Sequence, residues 1–162
     1  MQSVTPEDEL AIAAQLGRSP RGLVGVAWRC PCGKPGVIST APRLPNGTPF
    51  PTFYYLTCPN AVAACSRLEA AGVMAEMTAR IADDEELAAR YAQAHEAYLA
   101  DRKAYGEVAQ IEGYSAGGMP NRVKCLHAVV GHALAAGPGV NPFGDEALAQ
   151  IGEFWQCSCA PG

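Results

Sequence analysis

The chain changes character at Pro59, and that switch constrains its fold more than any other feature. Ahead of it, short runs rich in Val, Leu, Trp, Phe and Tyr are separated by Pro/Gly turns. Behind it, Ala, Glu and Leu dominate. Strand-forming residues on one side of a boundary and helix-forming residues on the other predict segregated elements. The expected fold is α+β: a small, mainly antiparallel sheet in the N-terminal third packed against a predominantly helical C-terminal part. With 162 residues, 49% of them hydrophobic and 17% charged, the chain can bury one core and is too apolar to stay disordered. Residues 1–152 are expected to form a single compact domain, with 153–162 as a flexible C-terminal tail.

The punctuation sharpens this reading. Thr5 followed by Pro6 and three acids predicts a helix N-terminus, and Gly17 its end. Residues 23–29 and 36–41 read as a strand and its return. Asn46-Gly47 reads as a turn, and 52–57 as the strongest strand signal. Helices are expected over 60–71 and 73–82, then from the acids at 83–86 to about Tyr105. On the last of these, Leu87, Tyr91, Ala94, Tyr98 and Tyr105 form a core stripe, and His95 beside it reads as a packed or surface residue. A Gly-rich loop then feeds a helix from Pro120 or Asn121 to Ala136, and a last helix spans 145–151.

Seven cysteines, an odd number, fit reduced thiols better than a disulfide framework. Cys30-Pro31-Cys32-Gly33 is a tight knuckle that can present two sulfurs to one ion, most often zinc. Cys58 closes the Tyr54–Tyr55 strand at a helix N-terminus, where a thiolate is favoured. Cys125 lies in the expected Pro120 helix, so the metal set reads Cys30, Cys32, Cys58 and Cys125, with His127 as the fallback for Cys125. On a regular helix Cys125 and His127 would point about 200° apart. Cys65 reads as a packing residue, and Cys157 and Cys159 as part of the tail. Zinc is the expected cofactor, with an iron–sulfur cluster as the alternative.

The net charge of −4 is unevenly spread: no acid falls between Leu10 and Leu68, where Arg18, Arg21, Arg29, Lys34, Arg43 and Arg67 all lie. A second acid-free stretch carries Gly117, Gly118, Arg122 and Lys124. A Gly-rich loop feeding a helix start offers backbone N–H groups, so these four residues form a candidate phosphate or carboxylate cradle. Arg43 and Tyr54 are candidate lining residues of a pocket near the knuckle. No Walker spacing supports a nucleotide site. The acidic first residues lack the bases of a signal peptide, and no apolar run approaches the roughly 20 residues that span a bilayer. The expected location is cytoplasmic, without membrane contact. Nucleic acid is an unfavoured partner at this net charge, and the sequence sets no oligomeric state.

The motifs Arg29-Cys30-Pro31-Cys32-Gly33, Tyr54-Tyr55-Leu56-Thr57-Cys58-Pro59, Ser66-Arg67-Leu68-Glu69 and Gly117-Gly118-Met119-Pro120-x-Arg122-Val123-Lys124-Cys125-Leu126-His127 resemble those of the uncharacterised bacterial domain of unknown function 501 family. So does Thr40-Ala41-Pro42-Arg43-Leu44-Pro45-x-Gly47-Thr48-Pro49-Phe50-Pro51-Thr52. The resemblance runs from about Leu10 to Leu148 and implies a cytosolic bacterial protein without assigning a catalytic role. Three functions stay open: a zinc protein with a cationic pocket for a small anionic ligand, a zinc-stabilised protein- or RNA-interaction module, and a thiol enzyme using Cys58.

Overall fold

The computed structural model describes residues 1–156. Helix α1 (Pro6–Leu16) starts in a capping box: the Thr5 hydroxyl accepts the Asp8 N–H, and the Asp8 carboxylate accepts the Thr5 N–H. Asp8 also receives both amino groups of Arg29, at 2.8 and 3.0 Å. That bidentate pair fastens the first turn of α1 to the end of strand β1 (Leu23–Arg29).

β1 pairs antiparallel with β2 (Pro35–Thr40), which pairs antiparallel with β3 (Tyr54–Leu56), in the order β1-β2-β3. β2 is buried along its whole length. Its neighbours Val37 and Ile38 point to opposite faces, and both are below 2% exposed, so helices cover both sides of the sheet.

Helices α2 (Pro59–Ala70), α3 (Val73–Asp83) and α4 (Glu85–Lys103) follow, with Gly72 at φ 83° breaking the first two apart. A 3-10 turn at Ala109–Ile111 precedes α5 (Leu126–Ala136) and α6 (Pro142–Ile151). α5 is the central helix, lying against β3 and also touching α2 and α6. The architecture is the expected α+β arrangement, sheet first and helices mostly after.

Four elements differ from the sequence reading. Leu87, Tyr91, Ala94 and Tyr98 are buried as a stripe, but α4 ends at Lys103 and leaves Tyr105 46% exposed. α5 starts at Leu126, six residues after Pro120. Glycines at positive φ (Gly117 and Gly118) let residues 117–124 close into a turn, in which Lys124 N donates to Gly117 O at 2.7 Å. α6 starts early, at Pro142, because the Asn141 side chain caps it through Gly144 N. The expected tail is docked over its first part: Phe154 contacts Trp28 at 5.8 Å between ring centroids and accepts a hydrogen bond from Asn60. Cys157 and Cys159 lie outside the described residues. No helix among the described residues is long and apolar enough to cross a membrane.

Candidate functional site

The knuckle is the predicted turn. Cys30 N donates to Lys34 O and Gly33 N to Cys30 O, with Gly33 at φ 93°. Arg29 reaches back to Gly33 O at 2.9 Å, so the arginine that anchors α1 also braces the knuckle. Cys30 is buried and Cys32 exposed. Cys58 is the N-cap of α2, fully buried, and its N–H donates to Gly36 O at the start of β2. The strand register therefore brings Cys58 to the knuckle end of the sheet.

Cys125 stands elsewhere. It neighbours Glu69 and Cys65 on α2, seven or more residues beyond Cys58, which is about 10 Å of helix. One tetrahedral ion holds its thiolates within about 4 Å of each other, so the predicted four-cysteine set is divided. The geometric objection to Cys125 and His127 acting together also falls. Cys125 is the N-cap of α5, with extended backbone (φ −148°, ψ 113°), and not a residue one turn into a helix. The 200° separation expected on a regular helix does not apply.

What forms instead is a three-residue group. His127 Nδ1 lies 3.9 Å from Cys125 Sγ and 3.3 Å from Glu69 Oε2. The Sγ, Nδ1 and carboxylate oxygen all lie within 4.8 Å of one another, and all three residues are half-buried. Glu69 is held in place by the first amide of α5: Leu126 N donates to Oε2 at 2.9 Å. On the far side of the ring, Ser66 Oγ sits 3.3 Å from Nε2.

The electrostatics follow from this convergence. Burial pushes the Cys125 thiol up, but hydrogen bonds from His127 and the Ala128 N–H outweigh it, and the thiol titrates below its ordinary value. His127 is raised, first by Cys125 and then, against burial, by Glu69. Cys65, fully buried beside them, is pushed up to about 12 by burial and by Glu69, in keeping with a packing role.

Cys125 and His127 form part of the wall of a 560 Å³ cleft whose other walls include Tyr54, Tyr55, Pro59 and Val62. Tyr54 lines this cleft, whose wall holds none of the knuckle residues; its hydroxyl donates to Asp101 at 2.7 Å and its ring stacks on the buried His132. Arg43 is not part of that wall; its guanidinium is held by Gly47 O and Gln110. Of the Gly117–Lys124 cradle, Arg122 and Lys124 are exposed. The amides of Met119, Asn121, Arg122 and Lys124 donate to loop carbonyls, and that of Val123 donates to Thr78 Oγ1. The start of α5 is already occupied by the Glu69 carboxylate. The N–H groups from Met119 to Lys124 are therefore engaged within the protein.

Glu69 and Ser66 are the residues that sequence reasoning left without a role. The signal was present: Glu69 is the acid that ends the acid-free stretch, and it lies three residues from Ser66 on one helix face. Nothing in the sequence pointed it at Cys125.

Residues 26–149 match the family described as "Protein of unknown function (DUF501)". The chain belongs to that family. Comparison with curated proteins and with solved structures gives no match.

Proposed function

We propose that Glu69, Cys125 and His127 hold a zinc ion at the wall of the cleft, and that the protein uses it as a Lewis acid on a small substrate. The observation that carries this reading is the convergence of a thiol, an imidazole nitrogen and a carboxylate on one point. A divalent cation at that point would neutralise the thiolate and the carboxylate together and take the imidazole nitrogen as a third donor. Tetrahedral zinc places an N and an O ligand about 3.3 Å apart and an S and an N ligand about 3.6 Å apart. The separations of 3.3 and 3.9 Å are close to those values. Ser66 supports the same assignment: with Nδ1 turned to a metal, Nε2 carries the proton, and the serine hydroxyl is in place to accept it.

Three protein ligands among the described residues leave a fourth position for water or substrate, the pattern of catalytic rather than structural zinc. One thiolate among three donors favours zinc over an iron–sulfur cluster. Cys30, Cys32 and Cys58 remain candidates for a separate, structural ion. Reduced thiols in ligand roles suit a cytoplasmic location.

The test is elemental analysis of the purified chain with Cys125→Ser, Glu69→Gln and Ser66→Ala variants. Cys125→Ser and Glu69→Gln should remove the cleft ion, and Ser66→Ala should weaken it about 10-fold or more without unfolding the protein. Unchanged zinc content and affinity in all three would end the reading.

A second reading rests on the depressed Cys125 thiol beside His127: a thiolate nucleophile at the helix start. It displaces the Cys58 nucleophile, since Cys58 has no exposed surface. Selective alkylation of Cys125 in a protein that purifies without metal would favour it.

A further inference from the structure

We infer that the cleft continues past Tyr55 into an anion-binding arm formed by Arg18 and Arg21. The substrate is then a small molecule with an anionic end, phosphate or carboxylate, joined through an apolar spacer to the group that reaches His127 and Cys125. The inference rests on the zinc reading only for the reacting end of that molecule.

A second cavity, of 210 Å³, adjoins the larger cleft, and the two share Leu16 and Tyr55 as wall. Arg18 and Arg21 line the second cavity, with Phe50 and Tyr55 supplying aromatic surface and no Asp or Glu among the lining residues. The remaining lining is mostly apolar, which suits a spacer rather than a second charge.

Arg18 and Arg21 are unspent, as are the side chains of Arg67, Arg90 and Arg122 among the described residues. What sets these two apart is that they line one cavity together with no acid in its wall. Arg29 is paired with Asp8, Arg80 with Glu146, Arg102 with the carbonyls of Pro51 and Ile111, and Arg43 with Gly47 and Gln110. Among the described residues neither Arg18 nor Arg21 has an ion-pair or side-chain hydrogen-bond partner. Both lie inside the acid-free stretch from Leu10 to Leu68, so no carboxylate nearby in sequence competes for them.

Both side chains are exposed, and the backbone on either side sets the path of the connection that carries them. Gly17 at φ 74° turns the chain off α1, and Gly22 at φ 63° turns it into β1 with the Leu44 side chain against it. Two planar guanidinium forks on one short connection can bind the same phosphate or carboxylate through paired hydrogen bonds.

The experiment titrates the full chain with inorganic phosphate, phenyl phosphate and benzoate, following backbone amide shifts and heat. Phenyl phosphate or benzoate should move the amides of Leu16, Thr40 and Tyr55. The Arg18→Ala/Arg21→Ala double variant should bind about 10-fold more weakly or worse, with its zinc content and melting temperature unchanged. Tighter phenyl phosphate than benzoate assigns a phosphate end, and the reverse a carboxylate end; either upholds the arm. Unchanged affinity in the double variant, or no amide shift with any of the three probes, overturns it. Running the same titration on Glu69→Gln separates the two readings. Arginine-dependent binding in a protein that never held zinc leaves the arm standing alone, and zinc retention without anion binding removes only the arm.

Discussion

Replacing Tyr98 by Phe removes one oxygen atom and leaves the packing of the ring in place. That oxygen accepts the backbone N–H of Phe53 at 2.7 Å and that of Tyr54 at 3.1 Å, at the entry to β3. Tyr98 has no exposed surface and Phe53 is 1% exposed, so the Phe53 amide finds no substitute partner in the variant. A buried donor left unmade costs about 1–3 kcal/mol; the half-buried Tyr54 amide can recover part of its loss from water and adds about 0.5–1 kcal/mol. The expected destabilisation is about 3 kcal/mol in urea unfolding with an unchanged m-value. Because Tyr54 and Tyr55 line the cleft, hydrogen exchange should accelerate at the Phe53 and Tyr54 amides before it does in α4. A loss below about 0.5 kcal/mol, with both amides as protected as in the wild type, would refute the argument that this hydroxyl is what seats β3.

Acid should destabilise the protein in two separate windows. Burial pushes His132 down to about 4 from 6.5, so the unfolded chain binds its proton first and stability falls between about pH 6.5 and 4. Asp8 is held down to about 2 from 3.8 by its Arg29 hydrogen bonds, against burial, so its contribution is complete above pH 3.8 and lost toward pH 2. Asp8→Asn should cost about 1–2 kcal/mol at neutral pH, converge with the wild type near pH 2, and leave the upper window untouched; a pH-independent difference in chemical denaturation would count against the pairing. Gly144→Ala should cost about 3 kcal/mol in thermal melts, because its Cβ would meet the Val129 carbonyl and lie 2.6 Å from Ala133 Cβ. Gly131→Ala, whose nearest atom would be Tyr54 O at 3.6 Å, should stay within about 1 kcal/mol, and equal effects at the two sites would contradict this account of α5 packing.

The strands and most helices were legible because their signals are local. The Thr5-Pro6 start, the Gly72 break and the Leu87-to-Tyr98 stripe each depend on residues within a turn or two of one another. The start of α5 was misread for the opposite reason. Pro120 is a good first helical residue in isolation, but Thr78 accepts the Val123 N–H, and Gly117 O takes the Lys124 N–H, so the turn persists to Cys125. Phe154 was assigned to a loose tail because its docking partners, Trp28 and Asn60, are remote in sequence.

By itself, then, the sequence determined the fold class, the knuckle turn, the acid-free cationic stretches and which residue types could ligate a metal. All of these are properties of neighbours along the chain. Only the tertiary structure decided which of those residues meet. It separated Cys125 from Cys58 by the rise of α2 and gave Cys125 to Glu69 and His127. It engaged the amides from Met119 to Lys124 internally and left Arg18 and Arg21 beside the cleft. Helix rise, strand register and cap geometry set distances between residues tens of positions apart, and no local pattern encodes those distances.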